Sequence, residues 1–416
     1  MAGISGFYTI EMKVNGVDFL DPIHACSFAL KQSLFDLYPI LVLNFYDPSG
    51  IMNSTYMFEN GSKIEIRLMT GDTPIFRSLF YVYKSETDEI KDIKTGSGLF
   101  TVKAIHVMAW KQYKRSRAFR DRISNIVETI GNEYGFQVDK NDTGNADVWY
   151  QCNISDGQFL MEQLLPNAWS KNAEGSPFFL YMDLQNKIHL RHLKSFLRKK
   201  SKYKIIVEQN TNTIIFPDGT AIQKGAPILF SYKRDLVDIF EFAKKHLIDT
   251  WEINRDNGNV NRKIVDCFNQ PKTSTGNLLY MNANKKSNNL TGTGFTNTEV
   301  GKEENTKGQI YQQSRILPGI EKITMLMVFH TDTWLDLGDK IELQFFQMDF
   351  GTGIKSKKMT DDYLVVESDL MWDRDKLIMY QRLVLTRVAV NIPRELKTKS
   401  KFLKLEQKVD STIQGD

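Results

Sequence analysis

Residues 62–69, SKIEIRLM, alternate cleanly. Ile64, Ile66 and Leu68 fall on one side, and Lys63, Glu65 and Arg67 on the other. A period of two predicts a strand with one buried face. DLYPILVLNFYD (36–47), IFRSLFYVYK (75–84) and LFTVKAIHVMAW (99–110) are short runs rich in Ile, Val, Leu, Phe and Tyr, parted by the turn-formers DPSG, ENG and TGDTP. Strands at this spacing predict a small antiparallel barrel or sandwich rather than βαβ units.

The period then changes. Phe119, Ile123, Ile126, Val127, Ile130 and Tyr134 recur every three or four residues, which predicts an amphipathic helix over 119–134 ending near Gly135. NISDGQFLMEQLLPNAW (153–169) predicts a second helix, capped by Ser155 or Asp156. Its apolar stripe would be Met161, Leu165 and Trp169, with Pro166 bending or shortening it. PFFLYMDLQNKIHLRHL (177–193) predicts a hairpin turning at Leu184 to Asn186.

Further on, APILFSYKR predicts a strand and FEFAKKHL (240–247) a helix. Residues 268–313 are dominated by Asn, Thr, Gly, Lys and Gln and predict a long polar loop or insertion. Strands resume at KITMLMVFH, DKIELQFF, DDYLVVESDLM and KLIMYQRLVLTR, with FGTGIKSKK as a break. The tail beyond Pro393 is polar and Lys-rich. The expected fold class is therefore mostly β with α+β insertions: two small antiparallel, tube-like β-barrel domains plus helical and mixed connecting domains. The expected boundaries are 1–112 for the first barrel, 113–204 for a helix-and-hairpin domain, 205–313 for a mixed domain carrying the insertion, 314–392 for the second barrel and 393–416 for the tail.

Composition narrows the function classes. A length of 416 residues allows two or three domains, and a net charge of +4 gives no sign of a dedicated nucleic-acid binder. Cys26, Cys152 and Cys267 are odd in number, widely spaced and outside any CxxC, which fits isolated thiols in a reducing compartment. The first residues place Glu11 early with no long apolar run, so no signal peptide is expected, and no window reaches the length of a membrane helix.

Candidate chemistry is sparse. GxxxxGK[ST], HExxH, GxSxG and CxxC are all missing. Histidines 24, 106, 189, 192, 246 and 330 are scattered, and only His189 and His192 lie close together. On a helix they could share a metal; on the returning strand of a hairpin they face opposite ways, a partly exposed pair. Glu367 and Asp369 would share a strand face, with Asp373 and Asp375 at the following turn. That is the residue type for a wall hydrolase, although Val365, Val366 and Leu370 between them mark a structural strand. GSG (96–98) and GTG (351–353) fit hairpin turns better than phosphate loops. The basic runs 111–122, just before the first helix, and 191–204, with Phe196 and Tyr203, would form a nucleic-acid module only if brought side by side with exposed rings.

The order of elements resembles the baseplate hub proteins of contractile-tailed phages, related to the base of the type VI secretion spike (VgrG) and to late control protein D. Three stretches carry the resemblance. The first is the opening strand series. The second is the 119–134 helix followed by SDGQFLMEQLLPNAW and PFFLYMDLQNKIHL. The third is WLDLGDKIELQF, with its Leu-x-x-Gly-Asp turn, followed by Tyr363-x-Val365 and a last strand ending Leu385-Thr386-Arg387. It spans roughly residues 10–390, with the 268–313 insertion as a departure.

The resemblance implies a non-enzymatic structural hub in the virion tail baseplate, assembled in the host cytoplasm. It implies a homotrimeric ring that joins the sixfold tail tube to the threefold central spike, contacts other baseplate proteins and surrounds a channel where passing DNA is met weakly and non-specifically. Strands beginning at Lys63, Phe76, Lys340 and Tyr363 would supply the tube-like faces, with both helices outside. It calls for no catalytic, cofactor-binding or metal-binding residues and no cofactor. The alternatives are a tail-associated cell-wall hydrolase and a nucleic-acid-binding module.

Overall fold

In a computed structural model, the described residues are 8–20, 26–47, 58–71, 73–92, 97–144, 146–173, 176–207, 212–224, 229–236, 247–253, 260–266, 290–297, 321–328, 334–349, 352–355, 361–374 and 378–387. Strands dominate, as the alternating patterns require. SKIEIRLM forms Lys63–Thr70, with Ile64, Ile66 and Leu68 buried on one face. Its neighbours are Tyr8–Val14 and the long strand Thr73–Asp92, both antiparallel to it.

One 16-stranded sheet holds most of the strands. Its hydrogen-bonded order begins Ala221–Lys224, Asn212–Ile215, Lys204–Val207, Lys340–Asp349, Asp361–Asp373. It continues Cys26–Ser33, Ile40–Asp47, Ser97–His106, Thr73–Asp92, Lys63–Thr70, Tyr8–Val14 and Val17–Asp18. A branch runs from Asp361–Asp373 through Ile378–Arg387 and Glu321–Val328 to Leu229–Leu236, and Thr352–Lys355 folds back on Lys340–Asp349.

Among the described residues no ladder joins one end of this path to the other. The expected pair of closed antiparallel β-barrels is therefore corrected to an open sheet with helical insertions. The reason is visible in Asp361–Asp373, which pairs with Lys340–Leu343 at its start and with both Cys26–Ser33 and Ile378–Arg387 further along. Its edges join the early and late strands to each other rather than closing either set. Nor is the sheet purely antiparallel, since Lys204–Val207 pairs in parallel with Lys340–Asp349. Within the polar 268–313 stretch, Leu290–Asn297 is a strand parallel to Leu247–Ile253, not a loop. The helix expected at 240–247 lies almost wholly outside the described residues.

Among the described residues three cores sit against this framework. The first joins the early strands with Leu370, Trp372 and Met379, and packs Phe19, Phe45, Phe58 and Phe100 together. The second joins Ile205, Met325, Leu343, Tyr363 and Leu385 with Phe179 and Phe196. The third lies off the main sheet. There Ile126, Val127 and Ile130 of the helix Ile123–Glu133 meet Phe159, Leu160 and Leu164.

That helix starts later than its periodicity predicts, because Phe119 belongs to the strand Lys114–Asp121. Its end is where expected, with Gly135 taking φ +79° just beyond Tyr134. The second helical segment opens on Ser155 with a capping box to Gln158, widens into a π-turn over Phe159–Leu164 and ends in a 3-10 turn containing Pro166. The widened turn moves the buried stripe to Leu160, Leu164 and Ala168, leaving Met161, Leu165 and Trp169 only partly buried.

Candidate assembly surfaces

The hairpin of strands Phe178–Met182 and Ile188–His192 forms as its sequence predicts, and it touches all three cores. Phe179 and Tyr181 enter the second core, Phe178, Leu180, Met182, Ile188 and Leu190 the third, and the tip residue Leu184 the first. Asn186, at φ +64° in the turn, donates from Nδ2 to the Arg77 carbonyl at 2.7 Å. Its Oδ1 lies 2.8 Å from Nε2 of the buried His106. The His106 Nδ1 accepts from the Met108 amide, so Nε2 carries the proton and donates to Asn186. Burial lowers the His106 pKa to about 4.

His189 and His192 face opposite ways, as the strand reading requires. His189 is partly exposed as expected, but His192 is buried. Its Nδ1 accepts from the Ser195 amide at 3.0 Å and caps the helix Leu193–Arg198. Burial, reinforced by Arg198, Lys194 and Arg191, lowers its pKa to about 4. His189 stacks on Tyr181 and lies between Asp139 at 3.2 Å and Asp183 at 2.8 Å. Arg191 also pairs with Asp139 and, with His189, holds that carboxyl below its ordinary range against the opposing effect of burial. Among the described residues no group of three His, Cys, Asp or Glu side chains is placed to hold a metal.

The basic run 111–122 leads directly into the helix Ile123–Glu133, as expected, and is also half of a two-stranded ribbon, Lys114–Asp121 against Asp147–Ser155. Period two in KRSRAFRD turns Arg115, Arg117 and Phe119 inward. Arg117 reaches the fully buried Asp156 at 2.8 Å and Glu133 at 2.7 Å, and its guanidinium lies over the Phe119 ring. Asp156 also accepts from Gln151 at 2.9 Å and from the Tyr134 hydroxyl at 2.7 Å. Burial and the Asp156 carboxylate push the Tyr134 phenol well above its usual range. Asp156 sits in the first turn of the capped segment, so one carboxylate meets a helix N-terminus, two strands and a neighbouring helix end. Sequence reading found Asp156 only as a cap; Arg-x-Arg at alternating inward positions was the signal for a buried counter-charge.

The second basic run, 191–204, divides between the helix Leu193–Arg198, whose Leu193 and Phe196 are buried in the second core, and the strand Lys204–Val207. Phe196 and Tyr203 are both buried, so neither ring is offered to a base. Phe196 instead packs on Gly338 of the Leu335–Asp339 turn, where an added Cβ would come within 2.5 Å of the ring. Lys199 and Lys202 pair with Asp339 of the same turn.

Of the late carboxylates, Asp369 is buried and held by Arg382, whose Nε donates at 2.9 Å. Burial raises its pKa although Arg382 acts against the rise. Glu367 lies two positions away on the same strand, Asp373 ends that strand, and Asp375 is outside the described residues. Cys26 is buried, Cys152 is exposed and Cys267 is outside the described residues. Of GSG and GTG, Ser97, Gly98, Thr352 and Gly353 lie in paired strands rather than turns, and Gly96 and Gly351 lie outside the described residues.

No family model and no curated protein matches the chain. Solved structures do. The tail protein from Neisseria meningitidis MC58 aligns over 91% of this chain and 96% of its own, with TM-score 0.51 and 8% identity. The chain resembles that tail protein in fold. The 43 kDa tail protein of prophage MuSo2 from Shewanella oneidensis aligns over 91% and 98%, with TM-score 0.49 and 10% identity. The E. coli c3393 protein, a type VI secretion component, aligns over 92% and 80%, with TM-score 0.44 and 10% identity.

Proposed function

We propose that this chain is a non-enzymatic structural component of a phage tail baseplate, a hub. The observation that carries this reading is the end-to-end fold likeness to the Neisseria tail protein, which leaves little of either chain unaligned. In the finer form of the proposal, three copies form a ring on the tail axis that joins a sixfold tube to a threefold spike around the DNA channel. The strands beginning at Lys63, Phe76, Lys340 and Tyr363 supply the faces toward the tube and the neighbouring copies. Interfaces of this kind use sheet edges and polar rims rather than catalytic groups. The buried polar groups agree with that use. Asp156, Asp369, His106 and His192 each have protein partners that fix structure.

The five-part division of the chain, with 1–112 and 314–392 as tube-facing parts and 393–416 as a basic arm, belongs to the same proposal. So do placement in the virion, assembly in the host cytoplasm and weak contact with DNA. A density map of the assembled particle tests it. The chain should lie on the tail axis between tube and spike in three copies. A position off the axis, or absence from the tail, overturns the proposal.

A further inference from the structure

The Lys114–Asp121/Asp147–Ser155 ribbon has an outward face that none of the three cores covers. Seven exposed positions make it up: Lys114, Ser116, Ala118 and Arg120 on one strand, and Val148, Tyr150 and Cys152 on the other. Across the ribbon Arg120 pairs with Val148, Ala118 with Tyr150 and Ser116 with Cys152. Tyr150 is 63% exposed, and Tyr113, at the ribbon's root, 70%. Two of the seven are cations and none is an anion. Arg115 and Arg117 spend their charge inward on Glu133 and Asp156.

Neither outer edge of the ribbon pairs with another described strand. Past Cys152 a bulge at Asn153, φ +51°, interrupts the pairing, and such bulges discourage strand addition. Residues 147–152 carry no such defect. Lys114 and Arg120, six positions apart on one strand, stand roughly 20 Å apart. Apolar side chains lie between them. A nucleic-acid backbone asks for denser cations than that. Aromatic and aliphatic groups ringed by sparse positive charge fit a polypeptide.

We propose that this face and edge bind an extended acidic segment of another polypeptide, which adds as a third strand along residues 147–152. Val148 and Tyr150 meet its alternate apolar side chains, and Arg120, paired with Val148, meets a carboxylate; Lys114, opposite Ser155 beyond the bulge, adds longer-range attraction. The proposal concerns the ribbon alone and is tested on the isolated 416-residue chain, so its failure is separable from failure of the baseplate reading.

The probe is a capped, fluorescent peptide, Glu-Thr-Val-Thr-Val-Thr-Glu, which carries a glutamate at either end to meet Arg120 in either strand direction. Its control replaces both glutamates with lysine. Cys267→Ser removes the third thiol, and Cys26 is buried, so maleimide labelling reports on Cys152. The acidic peptide should bind and slow labelling of Cys152, with the lysine peptide about tenfold weaker. Arg120→Glu should narrow or invert that preference, and Tyr150→Ser should weaken both peptides; both positions are exposed, and far-ultraviolet circular dichroism confirms that each variant folds. Equal binding of the two peptides, no binding by either, or protection of Cys152 by a short DNA duplex instead would overturn the proposal.

Discussion

Asp156 is fully buried, yet Arg117, Gln151 and Tyr134 converge on its two oxygens. A buried pair of this kind adds little over a well-packed apolar substitute, but removing Asp156 takes the acceptor from Tyr134 and leaves Arg117 with Glu133 as its remaining carboxylate. Asp156→Ala should therefore cost about 1–3 kcal/mol, read from urea unfolding of the chain. The loss should shrink in an Asp156→Ala/Arg117→Met background, because the Arg117 guanidinium then no longer faces the vacated site. His106 and His192 give a second residue-scale prediction. Both are neutral in the fold, with pKa about 4, against an ordinary value of 6.5. Between those values the unfolded chain binds more protons, so their contribution is complete above pH 6.5 and is lost as pH falls toward 4. Asn at both positions keeps a capping oxygen without titrating. The His106→Asn/His192→Asn variant should start less stable but show a flatter decline between pH 6.5 and 4 in urea midpoints.

At the scale of elements, the hairpin around Asn186 shows what local pattern can deliver. PFFLYM and KIHLRH carry their own strand signal, and the spacing of three within the strand Ile188–His192 places His189 and His192 on opposite faces. The Asn186 backbone and side chain make separable contributions. Asn186→Gly keeps the left-handed turn but loses the bonds to Arg77 and His106; Asn186→Ala loses both. The alanine variant should unfold about 1 kcal/mol more easily than the glycine variant, measured by urea denaturation. The Ser155 cap was equally legible. Elements whose determinants lie far away were not. KRSRAFRD pairs with DVWYQCNIS and is held by Asp156, whereas its local neighbour is a helix, and Phe119 fits the helical period by coincidence. Barrel closure was misread for the same reason. Alternation tells which face of a strand is buried, but not which strand takes its edge.

Across the whole molecule, Asp361–Asp373 runs from one core into another. Tyr363, Leu364, Val365 and Val366 belong to the second core; Leu370 and Trp372 belong to the first. A bulge between Val365 and Glu367 marks the crossing, and Cys26–Ser33 pairs along the far part. The 178–192 hairpin adds a second tie, since Leu184 at its tip is buried in the first core while Tyr181 is buried in the second. Two regions tied by a shared strand and a shared hairpin cannot open one at a time without exposing part of the other's core. Trp372→Ala, which packs against Phe28, should cost about 3–5 kcal/mol. That loss should not stay local. Native-state hydrogen exchange should show the slowest amides of Cys26–Ser33 and of Lys340–Asp349 losing protection by the same free energy. Protection lost in the first set alone would mean that the two cores unfold separately and that the shared strand does not couple them.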